Sequence, residues 1–362
     1  LIPIMGSVGE EKTKPTQHSV KELMSIGIRP DIIIGRCSEP ISAAARAKIA
    51  MFCDVPEQAV ISTPDARTIY EVPMNLEKQG VADYIIDKMR LGPLTSKRDM
   101  GGWERFVSRI VNPKREVTIA LVGKYTSLAD SYLSHLEAFT HAGAASECKV
   151  RIKFVDSDEL VKNDPASILS DVHGVIVPGG FGIRGVEGKI NAARYARENN
   201  IPFLGVCLGF QIATIEFCRH VLGLEMASST EFNPDTPDPV ICIMDEQKGI
   251  VNMGATMRLG AQDVHVLEGS KACELYGGRT LISERHRHRY EVNPDYISRI
   301  EEAGWKFTGR SECGTRMEIG ELENHPYFVA SQFHPEFKSK PWSPSPLHQG
   351  LVNAAIRYME SR

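Results

Sequence analysis

Three short stretches carry groups that could do chemistry together. In Gly205-Val206-Cys207-Leu208-Gly209 a thiol stands between two glycines, where an apolar run gives way to a helical pattern. That pattern fits a strand–turn–helix elbow, in which glycines permit a strained turn that lifts a nucleophile to the carboxyl end of a sheet. The helix beginning there sets positive partial charge beside a thiolate. The alternative is a small buried core cysteine, a common fate of free thiols. In Phe333-His334-Pro335-Glu336-Phe337 a base and a carboxylate stand two apart, so an extended backbone would turn both to one side, although Pro335 disturbs that regularity. A base at a strand end, steadied by a carboxylate, is what an activated thiol requires; a solvated pair in a loop is the alternative. The stretch Pro178–Lys189, PGGFGIRGVEGK, contains a literal G-x-G-x-x-G. A dinucleotide site would want an acidic residue about 20 positions further on, and Phe203–Cys207 has none. The backbone N–H groups of Gly180 and Leu208 are instead the expected donors to an oxyanion.

Two further stretches are charged. In Glu284–Tyr290, ERHRHRY, strand alternation puts Arg285, Arg287 and Arg289 on one face and His286 and His288 on the other. An arginine here could clamp an amino-acid carboxylate with two hydrogen bonds, and the histidines read as structural. Near the start, Lys12 and Lys14 precede Pro15-Thr16-Gln17 and the helical pattern HSVKEL. Ammonium groups beside a helix N-terminus suit phosphate oxygens; an exposed basic loop is the alternative. No G-x-x-x-x-G-K-[ST] occurs, so the 362 residues carry no P-loop of their own.

The elements that must position these groups read as α/β. From residue 117 the chain alternates strands (VTIALVGK, KVRIKFVDS, HGVIVPGG, IPFLGV) with helices (SYLSHLEAFTHAGAA, KINAARYAREN, FQIATIEFCRHVLG). That density predicts a mostly parallel sheet with helices on both faces. TLISERHRHRYEVN, WKFTGRS, TRMEIGELE and YFVASQFHPEF are expected as antiparallel strands added beside it. Residues 1–93 carry helical spacing over HSVKELMSIGI, stopped by Gly27, then an apolar strand in RPDIIIGR and a helix in ARAKIAMFC. One or two helices, interrupted near Pro73, follow in TIYEVPMNLEKQGVADYIIDKM. These are too few strands for a complete sheet. Residues 94–116 read as an interdomain linker with one short helix. Because the chain opens on Leu1 and the apolar LIPIM, a longer protein is expected to precede it.

Bulk properties exclude several classes. The chain is 42% hydrophobic and 24% charged, as soluble globular proteins are. A net charge of −4 gives no footprint for nucleic acid or an anionic membrane. No apolar run reaches the about 18 residues of a membrane span. Eight cysteines without a CxxC pair favour a reducing, cytoplasmic location over a disulfide framework.

Taken together, GEEKTKPTQHSVKEL, AKIAMFC, IYEVP, VPGGFGIRGVEGKI, IPFLGVCLG, MRLGAQ, ERHRHRYEVN and FVASQFHPEF closely resemble the CTP synthase family over nearly the whole chain. Residues 117–362 resemble its class I glutamine amidotransferase domain, and residues 1–93 resemble the C-terminal part of its P-loop-type amidoligase domain. The resemblance implies that Cys207, His334 and Glu336 hydrolyse L-glutamine, held by Gly180, Leu208, Gly209, Gln211, Glu231 and Arg289. Ammonia would then aminate UTP to CTP at the expense of ATP and Mg²⁺, with GTP as activator, CTP as inhibitor, and a homotetramer as the assembly. Lys12, Thr13, Lys14, Pro15, Thr16, Gln17 and Lys48 match the UTP/CTP-binding segments. No metal ligand is expected in these residues, because the P-loop and magnesium-binding carboxylates of the family lie N-terminal to them. There are departures: Phe210 replaces a usual methionine, and residues 243–254, which correspond to a lid over the glutaminase site, are short. A different class I amidotransferase, such as that of GMP synthase, would share the elbow and His-x-Glu but not KTKPTQHSVKEL. An inert nucleotide-binding or assembly fragment is the non-enzymatic alternative.

Overall fold

The computed structural model describes residues 1–5, 10–92, 98–126, 128–243 and 257–362. The chain divides into two compact units, Leu1–Asn112 and Pro113–Arg362.

In the first unit, the strand Ile33–Cys37 pairs in parallel with Val60–Pro64, and the helix Ala43–Cys53 lies between them in sequence. Ser42 caps that helix by accepting a hydrogen bond from the Ala45 N–H, which satisfies one of the donors every helix start leaves open. Val20, Ile33, Ile41, Ile49, Val60 and neighbours form the core. Two details differ from the sequence reading. The first helix spans Lys14–Ser25, so Lys14-Pro15-Thr16-Gln17 is its first turn and not the approach to it. Proline fits there because the first N–H groups have no intrahelical acceptor. Pro73 likewise lies in the first turn of Val72–Lys78, and the helical pattern breaks instead at Gly80, whose φ of +73° opens the helix Val81–Lys88. The stretch read as a linker carries the helix Gly101–Val111, which belongs to this unit and anchors Trp103 Nε1 on the Tyr70 carbonyl at 2.7 Å.

The second unit is built on a nine-stranded sheet. Its order is Leu281–His288, Arg258–Val266, Trp305–Arg310, Met317–Leu322, Phe328–Ser331, Phe203–Val206, Gly174–Val177, Arg115–Gly123, Cys148–Asp156. The last five run parallel, and the first four add antiparallel pairs. The expectation of an antiparallel strand in YFVASQF holds on one side only. The short return from Leu322 makes Phe328–Ser331 antiparallel to Met317–Leu322, and that reversal sets it parallel to the Cys207 strand on its other side.

Arg115–Gly123 shows why helices cover both faces. Val117, Ile119 and Leu121 enter one core with helices Leu133–Ala145 and Pro346–Glu360; Ala120 and Val122 enter another with helices Val186–Glu198 and Leu208–His220. Strand side chains alternate, so an apolar run this continuous must be buried on both sides. A smaller sheet, Tyr290–Val292, Asp238–Ile243 and Ala227–Ser229, lies in the same unit. Among the described residues no helix is long and apolar enough to cross a membrane. The lid expected over residues 243–254 falls almost entirely outside the described residues.

Candidate active site

Cys207 joins the strand Phe203–Val206 to the helix Leu208–His220 with φ +52° and ψ −100°. A non-glycine residue there is strained, and such strain persists only where the surroundings enforce it. They do. A Cβ on Gly205 would lie 2.6 Å from the Gly209 carbonyl oxygen, and one on Gly209 would lie 2.0 Å from the Val177 carbonyl oxygen. The two glycines are therefore steric necessities of the elbow. The Cys207 N–H is tied to the Ser331 carbonyl at 2.7 Å, and its thiol is buried near the Arg287 carbonyl and the Gln332 amide, each at 3.8 Å.

His334 follows the neighbouring parallel strand. Its N–H bonds the Arg285 carbonyl at 2.8 Å and its ring stacks on Phe337 at 5.2 Å. Its Nδ1 donates to Glu336 Oε1 at 2.7 Å. The contact does not come from extended chain, as the spacing suggested. Pro335–Lys338 is a 3₁₀ turn, and its tight winding folds the carboxylate back beneath the ring. Burial works against a charge on His334, but the Cys207 sulfur and the Glu336 carboxylate outweigh it and raise the imidazole to about 10. Burial also opposes the charge on Glu336, yet His135 and the His334 hydrogen bond hold it far down, at about 2. Gly179 closes the arrangement: a Cβ there would meet His334 Cε1 at 2.7 Å and Cys207 Cβ at 3.5 Å.

A cavity of about 870 Å³ opens onto these three side chains. Gly180, Gln211, Glu231 and Arg289, four of the residues matched to glutamine contacts, line it. Gln211 donates to the Tyr290 carbonyl at 3.0 Å and to Gln332 Oε1 at 3.2 Å, while the Glu231 carboxylate accepts the Gly182 N–H at 2.7 Å. Leu208 lies beside Gly180, its Cδ2 3.2 Å from where a Gly180 Cβ would stand. Gly209 is not in the cavity wall, because it is pressed against the strand behind.

The family model for class I glutamine amidotransferases matches residues 127–354, and the model for the CTP synthase N-terminus matches residues 1–91. The CTP synthase of Archaeoglobus fulgidus is 52% identical over 358 residues, which is 99% of this chain and 66% of that protein. That of Methanococcus maripaludis is 53% identical over 98% of this chain and 67% of the relative. This chain belongs to the CTP synthase family. It spans about two-thirds of the length of the curated relatives, 66% in the first case. The Trypanosoma brucei CTP synthase glutaminase domain, solved with bound acivicin, superposes with a TM-score of 0.63 at 42% identity, over 67% of this chain and 94% of that one.

The residues matched to the UTP/CTP segments of the CTP synthase family lie in the first unit. Lys12 is ion-paired with Glu10 at 2.6 Å, Lys14 lies 5.6 Å from the Phe52 ring centre, and Gln17 donates to the Thr13 hydroxyl at 3.0 Å. Thr13 and Thr16 are buried, Thr16 bonding the Leu1 carbonyl at 3.2 Å; Pro15 and Lys48 are exposed.

Sequence reasoning missed Gln332, Lys189 and His135, all brought to the site by tertiary packing. Lys189 lines the cavity almost fully buried, and burial, with Lys124 and Arg184 nearby, lowers its ammonium to about 8. Its only trace was the lysine ending GVEGK. His286, His288 and Glu318 place ligand atoms within 4.8 Å of one another, but Glu318 already accepts from Arg258 at 2.7 Å, so this cluster is compensated by a guanidinium.

Proposed function

We propose that this chain is the glutaminase-bearing part of a CTP synthase, and that its second unit hydrolyses the side-chain amide of L-glutamine through Cys207, His334 and Glu336. The single observation that carries this is the strained Cys207 elbow facing a histidine whose Nδ1 is locked on a buried carboxylate at 2.7 Å.

The imidazole, raised to about 10 beside Cys207 and Glu336, is the group placed to take the thiol proton as the sulfur attacks. The Cys207 sulfur attacks the amide carbon, and the negative oxygen turns to the N–H groups of Gly180 and Leu208. Its collapse breaks the C–N bond as His334 gives its proton to the leaving nitrogen, which departs as ammonia. The neutral imidazole then takes a proton from water, whose oxygen attacks the thioester. Glutamate leaves, and the Cys207–His334 pair is restored. Glu336 keeps His334 in the tautomer whose Nε2 works on the substrate and steadies its charge. Arg289 and Glu231 lie where they suit the carboxylate and ammonium ends of glutamine.

The ammonia is destined for amination of UTP to CTP with ATP, with Lys12–Gln17 and Lys48 contributing to UTP and CTP recognition. GTP activation, CTP inhibition, a tetramer and a cytoplasmic location follow from the family. Among the described residues, the first unit brings no three His, Cys, Asp or Glu side chains within ligand distance of one another. The test is mass spectrometry after treatment with a glutamine-like alkylating agent, paired with glutamate release. A single adduct on Cys207 and loss of both signals in Cys207→Ala are expected. Undiminished hydrolysis by Cys207→Ala would overturn the assignment.

A further inference from the structure

Behind the triad the fold buries two histidines that the mechanism above does not use. His135, on the helix Leu133–Ala145, has Nε2 3.5 Å from Glu336 Oε1. Its Nδ1 lies 3.1 Å from Nε2 of His348, on the helix Pro346–Glu360. The Nδ1 of His348 lies 2.8 Å from the hydroxyl of Ser345, which caps that helix. Three separate elements thus meet in one line, Ser345–His348–His135–Glu336, which continues through the 2.7 Å bond to His334.

The direction of the line follows from chemistry. A carboxylate accepts only, so the His135 nitrogen facing it must carry the hydrogen. A neutral ring has one N–H, so His135 Nδ1 must accept from His348 Nε2–H, and His348 Nδ1 must accept from the Ser345 O–H. The Ser345 oxygen is consistent with this, since it accepts the His348 backbone N–H at 3.5 Å and keeps its own hydrogen free to donate. The reverse order would set a lone pair against the carboxylate. Both rings are neutral: burial lowers His135, and burial followed by His135 lowers His348 to about 3. Every hydrogen in the line consequently points toward Glu336, and in a dry interior such aligned donors reinforce one another.

We propose that His135, backed by His348 and Ser345, is a positioning residue of the glutaminase, a donor line that fixes the Glu336 carboxylate and through it the orientation and charge of His334. The inference rests on the glutaminase reading. The titratable groups facing His135 are Glu336 and His334 from the 3₁₀ turn and His348 from the last helix; Cys207 faces His334 from the elbow.

The experiment uses the full 362-residue chain with His135→Leu, His135→Gln and His348→Phe, in the parent and in Glu336→Gln. Glutamine should suffice the Nε2 role, because its amide nitrogen reaches that position. The expected result is a fall in kcat of about tenfold for His135→Leu with KM within about twofold, most of it restored by His135→Gln. In Glu336→Gln, adding His135→Leu should cost less than about twofold, because the residue it acts through is gone. Titration of ¹⁵N-labelled His334 by NMR should show its midpoint lowered in His135→Leu. Equal losses in both backgrounds, or an unmoved His334 midpoint, would overturn the proposal. A parent that hydrolyses no glutamine would sink the glutaminase reading, while the His334 titration would still decide whether the line exists. If His135→Leu does not fold, His348→Phe carries the same comparison one step further out.

Discussion

Two buried His–His–Glu clusters lie in the same unit, and they do opposite things to their carboxylates. His135, His348 and Glu336 join two helices to a 3₁₀ turn; His286, His288 and Glu318 join two strands. Each has a histidine pair with nitrogens 3.1 Å apart. In the first, the carboxylate meets histidine nitrogens at 2.7 and 3.5 Å and is held well below the usual range. In the second, burial raises Glu318 even though Arg258 bonds it at 2.7 Å and His286 Nδ1 lies 3.6 Å away. Burial raises Glu291 likewise, to about 7. Composition and depth are shared, so they do not decide the outcome. What differs is the balance between burial and the charges facing each carboxylate: His135 and the His334 hydrogen bond outweigh burial at Glu336, whereas Arg258, shared with Glu291, does not at Glu318. The cluster with a carboxylate of its own is the one wired to the thiol.

The largest effects should separate the two clusters by activity. His334→Ala should lower glutamine hydrolysis by at least about 10³-fold, and Glu336→Gln should hurt at least about tenfold less, because it orients and does not transfer the proton. Glu318→Gln should leave turnover per folded molecule within several-fold of the parent. Coupled glutamate assays check this, and the comparison breaks if Glu318→Gln costs more turnover than Glu336→Gln.

Stability should separate them the other way. Arg258→Met strips the cation from two buried carboxylates and should cost about 3–5 kcal/mol in urea unfolding. His135→Leu replaces a neutral buried ring with an apolar group and should cost much less. Equal losses would mean that the two clusters are alike in kind.

A smaller effect concerns pH. His286 and His348 are both depressed to about 3, His286 by burial and then by Arg258. The unfolded chain binds those protons near the ordinary value of about 6.5. Each histidine therefore contributes stability that is full above about 6.5 and is lost as pH falls toward 3. His286→Phe and His348→Phe should each flatten the acid limb of unfolding free energy against pH. His334 has the opposite sign. Raised to about 10, it contributes stability that is present below about 6.5 and lost as pH climbs through 10, so His334→Ala should flatten the alkaline limb. Unchanged limbs in these variants would remove the corresponding group from the argument.

The alternating pattern of residues 117–220 was enough to announce a parallel sheet with two helical layers. GVCLG, read as glycines around a nucleophile, was enough to announce the elbow. Both are local: side-chain alternation and the conformational freedom of glycine act over a few residues. Strand direction beyond Leu322 was not legible, because parallel or antiparallel pairing depends on which distant strand receives it. The first helix was read a turn too late, since Pro15 was taken for an approach where the open N–H groups of a helix start accept it. Nothing in SYLSHLEAF or PSPLHQGL marks His135 or His348, 213 residues apart, as partners. The sequence by itself singled out Cys207, His334 and Glu336 as candidates and determined the layers that carry them. Only the tertiary structure decided which histidines serve the thiol, because the charge state of a buried group is set by donors and charges delivered from other elements, and those are nowhere near it in the chain.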